Sequence, residues 1–102
     1  IDNISGPITM NFIVKCVSDY FNIDQKDLIG KKKTKNIAEA RQIAIYLISD
    51  LISVPLVSIG DFMGGRDHST IIHARDKISD LISTDLKYSN YIKDLTEIIK
   101  KK

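Results

Sequence analysis

The chain has 102 residues, enough for one hydrophobic core and not for two. It is 43% hydrophobic and 27% charged, the make-up of a globular domain and not of a disordered segment. One cysteine, Cys16, rules out an internal disulfide; it falls within an apolar pattern, which fits a reducing, intracellular setting. No apolar run is long enough to span a bilayer, and no signal-peptide pattern is present. The first residue is Ile1 and not Met, so a fragment of a longer protein is expected.

Residues 1–8 show no period and are expected to be a linker from a preceding domain, which leaves 9–102 as the domain itself. Thr9 is a good N-cap. After it Phe12, Ile13, Cys16, Val17, Tyr20 and Phe21 recur at helical spacing, which predicts an amphipathic helix over about 10–22. Asp24 is expected to cap a short turn that ends near Gly30. Residues 31–35 then read Lys-Lys-Lys-Thr-Lys. Asn36 with Glu39 three residues on resembles a capping box. The helix it opens runs to about Ile52 and is apolar nearly all round from Ile43 to Ile48, so it is the expected central helix. Pro55 ends that run or restarts the chain. Leu56, Ile59, Phe62 and Met63 form one stripe, broken by Gly64-Gly65. Asp67 can cap a further helix with Ile71, Ala74, Ile78, Leu81 and Ile82 facing inward. Residues 83–89 read as a break. A last helix carries Tyr91, Ile92, Leu95, Ile98 and Ile99 and runs out into Lys100, Lys101 and Lys102. No segment alternates like a strand. The expected fold is all-α, a bundle of five to six helices.

Helices 55–63 and 67–83, joined by two glycines, have the helix-turn-helix pattern. Glycine permits a reversal that a Cβ would resist. The second helix opens on Asp67, His68, Ser69 and Thr70, short polar groups at the end that meets base edges in such proteins. The competing reading is a plain N-cap followed by solvated surface. The lysine run on its own is ordinary solvated charge. It does not stand alone: residues 30–75 hold seven basic and four acidic side chains, and the remainder holds eight and nine. A phosphate backbone is the anion that matches this asymmetry. Arg41 can clamp a phosphate or grip guanine, or merely cover the core with its stem. Arg66, just before the N-cap, is expected to support the turn by pairing with a carboxylate such as Asp61. Catalysis finds no support. His68 and His73 are five apart and off one helix face, a poor metal pair. Gly30-Lys31 lacks the rest of a phosphate loop. No catalytic residue and no metal ligand is expected.

From Gly64 to Ala74 the chain reads GGRDHSTIIHA. Upstream, a basic loop leads into Ala40-Arg41-Gln42, with Ala44 two residues on, and Ile59-Gly60-Asp61-Phe62 lies between the two blocks. In these it resembles the C-terminal DNA-binding domain of the bacterial chromosomal replication initiator DnaA, over about residues 9–100. The resemblance implies a Trp-repressor-like helix-turn-helix that binds the short asymmetric DnaA box of replication origins. It implies base contacts from Asp67, His68, Ser69 and Thr70 in the major groove and from Lys33 in the minor groove. Arg41 and Gln42 would reach the DNA from the start of the central helix. Leu56 and Val57 would offer backbone N–H groups to a phosphate, and Lys31, Lys35, His73 and Lys77 would contact the backbone. ATP or ADP with Mg would belong to a nucleotide-binding domain of the parent protein, and no cofactor to this part. Other initiator copies and regulatory proteins are implied partners, in a cytoplasmic, nucleoid-associated setting.

Three positions depart from the family pattern. Ser69 stands where many members have Thr, losing a methyl that could touch thymine. Lys33 stands for Arg, and an ammonium loses more hydration than a guanidinium on entering a narrow groove. Val57 stands where proline is frequent. Two other readings remain open at this point. One is a helix-turn-helix repressor of another family, which would bind palindromes as a dimer. The other is a helical protein-interaction module with a merely solvated lysine tract.

Overall fold

Residues 8–101 are described in a computed structural model of the chain, and among them the regular structure is entirely helical. Helix α1 spans Met10–Phe21, α2 Gln25–Ile29, α3 Lys35–Leu51, α4 Leu56–Phe62, α5 His68–Thr84 and α6 Leu86–Lys100. Of the expected linker, residues 1–7 lie outside the described part, and Ile8 packs against the core.

The central helix is the one whose sequence is apolar on most sides. In α3, Ile43, Ala44, Ile45, Leu47 and Ile48 are all buried, and α1, α2, α5 and α6 pack around it. Ile13, Val14 and Val17 close the core from α1. Ile71, Ala74 and Ile78 close it from α5, and Leu95 and Ile99 from α6. Burial of twelve large side chains below 2% exposure is the main stabilising term, at about 1.5–3 kcal/mol each.

The caps explain most boundaries. The Thr9 hydroxyl accepts from the Phe12 N–H at 3.1 Å, and the Asp85 carboxylate accepts from the Lys87 N–H at 3.0 Å. α1 ends on Asn22 at φ 58°, a left-handed residue that Asn tolerates better than most.

Two expectations fail here. The capping box at Asn36 does not form: α3 begins two residues earlier, behind Thr34, and Glu39 faces α6, where it accepts a hydrogen bond from the Tyr88 hydroxyl. Nor is 83–89 a break. α5 runs on to Thr84, and Asp85 alone separates it from α6, serving as C-cap of one helix and N-cap of the next. Serines and a threonine near the helix end suggest a loop; the Ser83 and Thr84 hydroxyls instead hydrogen-bond back to the Ser79 and Asp80 carbonyls.

The bond to Glu39, followed by burial, pushes the Tyr88 phenol up from 10.0 to about 12. A raised phenol pKa means that the bond stabilises the fold fully below pH 10 and loses that contribution as pH rises through 12. Tyr88→Phe is therefore expected to cost about 1 kcal/mol at neutral pH in urea denaturation. Its difference from the parent should close as pH goes from 10 to 12. A difference that stays constant over that range would assign the loss to packing and not to the hydroxyl.

Candidate nucleic-acid interface

α4 and α5 are joined by a turn that only small residues can make. Gly64 and Gly65 sit at φ +88° and +79°, in the left-handed region that glycine enters without steric cost. The chain then doubles back on α4: the Gly65 and Arg66 N–H groups donate to the Gly60 carbonyl at 3.0 and 2.8 Å. A Cβ on Gly60 would overlap the Arg66 carbonyl, so Gly60 is as necessary to the turn as the glycine pair. Ile59 and Met63, fully buried, and Ile71 on the other side lock the two helices together.

The turn aims the start of α5 into solvent. Asp67 is the N-cap, its carboxylate 3.5 Å from the Ser69 N–H and from His68 Nδ1. A carboxylate there is favoured by the positive end of the helix dipole. Its side chain is nonetheless 67% exposed and that of His68 59%, and Ser69 and Thr70 are exposed beside them. Capping and presentation to a ligand coexist at this end.

Beside this end runs an open groove of about 390 Å³ between α3 and α5. Ala38, Gln42 and Ile45, a stripe at helical spacing, form the α3 wall. Thr70, His73, Ala74 and Lys77 form the α5 wall, and Lys33 closes the end. Arg41 and Arg66 also line it. Six of the thirteen residues singled out in the sequence thus meet around one concavity: Lys33, Arg41, Gln42, Thr70, His73 and Lys77. Lys31 and Lys35 are exposed on the basic loop and the first turn of α3. Leu56 and Val57 occupy the first turn of α4, where leading N–H groups have no intrahelical acceptor and the N-cap, Pro55, makes no side-chain cap bond. Val57 is 61% exposed; Leu56 leans on the core.

Arg41 lies where the sequence does not place it. The sequence offers it as a guanine or phosphate contact from α3, or as a surface arginine whose stem covers the core. In this structure it is 7% exposed, and its guanidinium is turned toward α2. Nε donates to the Leu28 carbonyl at 2.6 Å and Nη2 to the Asp27 carbonyl at 2.9 Å. Burial, and then the nearby Arg66 cation, lower its pKa. The signal lies in the register: Ile37, Arg41, Ala44 and Ile48 fall at intervals of four, three and four, the buried face of the helix.

Arg66 does support the turn, through other partners than expected. Its guanidinium finds backbone carbonyls and not Asp61. Nη1 donates to Ile29 at 2.8 Å and to Met63, and Nη2 to Gly30 at 2.6 Å. Burial lowers its pKa. Among the described residues there is no group of three or more His, Cys, Asp or Glu placed to hold a metal ion, and no helix long and apolar enough to cross a membrane.

A short helix and a longer one meeting at a glycine turn, with a polar N-terminus presented beside a basic loop, define a helix-turn-helix domain. Residues 10–78 match the family described as bacterial dnaA protein helix-turn-helix, and the chain belongs to that family. It is 45% identical over 95 residues to the chromosomal replication initiator protein DnaA of Oenococcus oeni, an alignment that covers 93% of this chain and 21% of that relative. The chain therefore spans about a fifth of that relative's length.

The two turn glycines should respond differently to a methyl group. Each alanine takes on the left-handed backbone, at about 1–2 kcal/mol. The new Cβ at 65 meets nothing within 4 Å, whereas at 64 it lies 2.8 Å from the Ile29 carbonyl oxygen. Gly64→Ala should lower stability clearly more than Gly65→Ala in denaturant titrations. Equal losses would show that the neighbouring segment yields freely.

Proposed function

We propose that this domain binds double-stranded DNA in a sequence-specific manner, at the short asymmetric boxes of a bacterial replication origin, and so directs an initiator to its start site. The observation that carries this reading is a juxtaposition. The exposed polar end of α5 and the basic loop 31–35 flank one groove, so a duplex whose major groove receives α5 has its neighbouring phosphates and minor groove beside the lysines. Membership of the DnaA family supports it.

In this reading Asp67, His68, Ser69 and Thr70 meet base edges, and Gln42 reaches toward them from α3. Lys33 enters the minor groove. Lys31, Lys35, His73, Lys77 and the N–H groups of Leu56 and Val57 hold phosphates. Arg41, engaged with α2, takes no base. The reading assigns binding and no reaction to these residues. The ATP, ADP and Mg chemistry of an initiator, and contacts to further copies or regulatory proteins, would belong to the larger protein in a bacterial cytoplasm.

Neutralising about four to six phosphates should give a slope of roughly −4 to −5 when log K is plotted against log salt. Fluorescence anisotropy with a box duplex and a scrambled duplex at two or more salt concentrations measures it. A slope near zero would remove the electrostatic basis of the proposal and leave a protein-interaction module as the better reading.

Lys33→Ala and His68→Ala should fail in different ways. The minor groove presents similar acceptors for both A·T orientations, so losing Lys33 weakens binding with little change in sequence choice. Losing His68 at the reading end should cost about 1–3 kcal/mol on the box and little on the scramble. Equal losses on both duplexes for His68→Ala, with helical circular dichroism unchanged, would return His68 to the role of a helix-start residue.

A further inference from the structure

The C-terminal end of α2 has an unusual set of partners. The last carbonyls of any helix lack intrahelical donors. In α2 the Lys26 carbonyl takes the Gly30 N–H, and the next four in sequence take guanidinium nitrogens. Asp27 and Leu28 receive Nη2 and Nε of Arg41 from α3; Ile29 and Gly30 receive Nη1 and Nη2 of Arg66 from the glycine turn. Arg66 also holds the Met63 carbonyl on its own side of the turn. One guanidinium thus spans two pieces of chain more than thirty residues apart. The lysine loop begins at the next residue, Lys31.

Beyond these bonds α2 is held by the burial of Leu28, by Ile29 against the core and by an exposed ion pair from Lys32 of the loop to Asp27 at 3.4 Å. Five residues are far fewer than an independent helix needs, and only Leu28 among them is fully buried. Its N-cap Asp24 makes no side-chain cap bond. α5, by contrast, is fixed by Ile71, Ala74 and Ile78, whatever happens at its start. A rigid planar fork can bridge two carbonyls and a third behind them, which a single ammonium on a flexible stem cannot.

We infer that Arg66, with Arg41, is a positioning residue for DNA recognition: it ties the basic loop to the helix-turn-helix turn, so that minor-groove and major-groove contacts fall in one register. The inference rests on the DNA-binding reading above and adds a coupling between its two halves. Arg66 touches no base in this scheme; it acts through Lys33.

Two measurements on the 102-residue chain test it. In the absence of DNA, backbone ¹⁵N relaxation should show residues 31–34 losing order in Arg66→Lys, while residues 70–78 keep theirs. With a box duplex, a double-mutant cycle in anisotropy titrations should show coupling. Lys33→Ala should weaken the parent about tenfold and Arg66→Lys less than about threefold, whereas His68→Ala should keep its full effect on the box-to-scramble ratio in both. Equal factors for Lys33→Ala in the two backgrounds, or unchanged order in the loop, would overturn the inference. If Arg66→Lys does not fold, Arg41→Lys goes through the same two measurements, and the same results uphold or overturn the coupling. A parent chain that fails to distinguish box from scramble would defeat the DNA-binding reading, and the relaxation result would still decide whether the arginines order the loop.

Discussion

Four carbonyl oxygens at the end of a five-residue helix, with no donors of their own, set the terms for the recognition half of this domain. Left unpaired in a partly buried place, each would cost about 1–3 kcal/mol. Water could satisfy them only if the segment stood off the body of the protein. Two guanidiniums, one buried and one half-buried, satisfy them in place, and this keeps α2, and the lysines after it, against α3 and the glycine turn. Both cations give their hydrogen bonds to backbone carbonyls, so their charge is balanced by the negative end of a helix dipole and by carbonyl dipoles. It also adds to the positive character of the groove they line.

The rest of the architecture divides the work. α1, α3 and α6 form a core that would be the same in many helical proteins, with rings of Tyr20, Phe21, Tyr88 and Tyr91 meeting edge to face between α1 and α6. α4 and α5 stand on that core and expose their polar ends. Burial secures the scaffold, and hydrogen bonds to backbone secure what the scaffold presents. The second kind is directional, and direction is what a base-reading surface requires.

Much of the fold is legible because the period of the apolar residues is strong. The burial of Ile43, Ala44, Ile45, Leu47 and Ile48, the stripe Ile71, Ala74, Ile78, the Thr9 and Asp67 caps and the turn at Gly64-Gly65 all follow from local rules. The failures have local causes as well. Asn36 with Glu39 satisfies the pattern of a capping box, but Glu39 is claimed by Tyr88, a partner 49 residues away. Serines and a threonine near Asp85 look like a loop until their hydroxyls are seen bonding back to the preceding turn. At the site, charge and motif draw six of the marked residues to one groove. They do not say that Arg41 points inward, nor that Arg66 prefers carbonyls to Asp61. A carbonyl is invisible in a sequence because every residue has one.

Asp85 gives the far side of the molecule a different character. A single extended residue, at φ −135° and ψ 112°, is the whole connection between two helices of 17 and 15 residues. With no slack, the rotational setting of α6 about its own axis is fixed by chain length. Adding one residue there would turn the helix by about 100° and carry Tyr88, Leu95 and Ile99 off the face that meets α1 and α3. Insertions and deletions should therefore be scarce at this corner in any lineage that keeps the fold. The corner works as a ruler, and its unit is one amino acid.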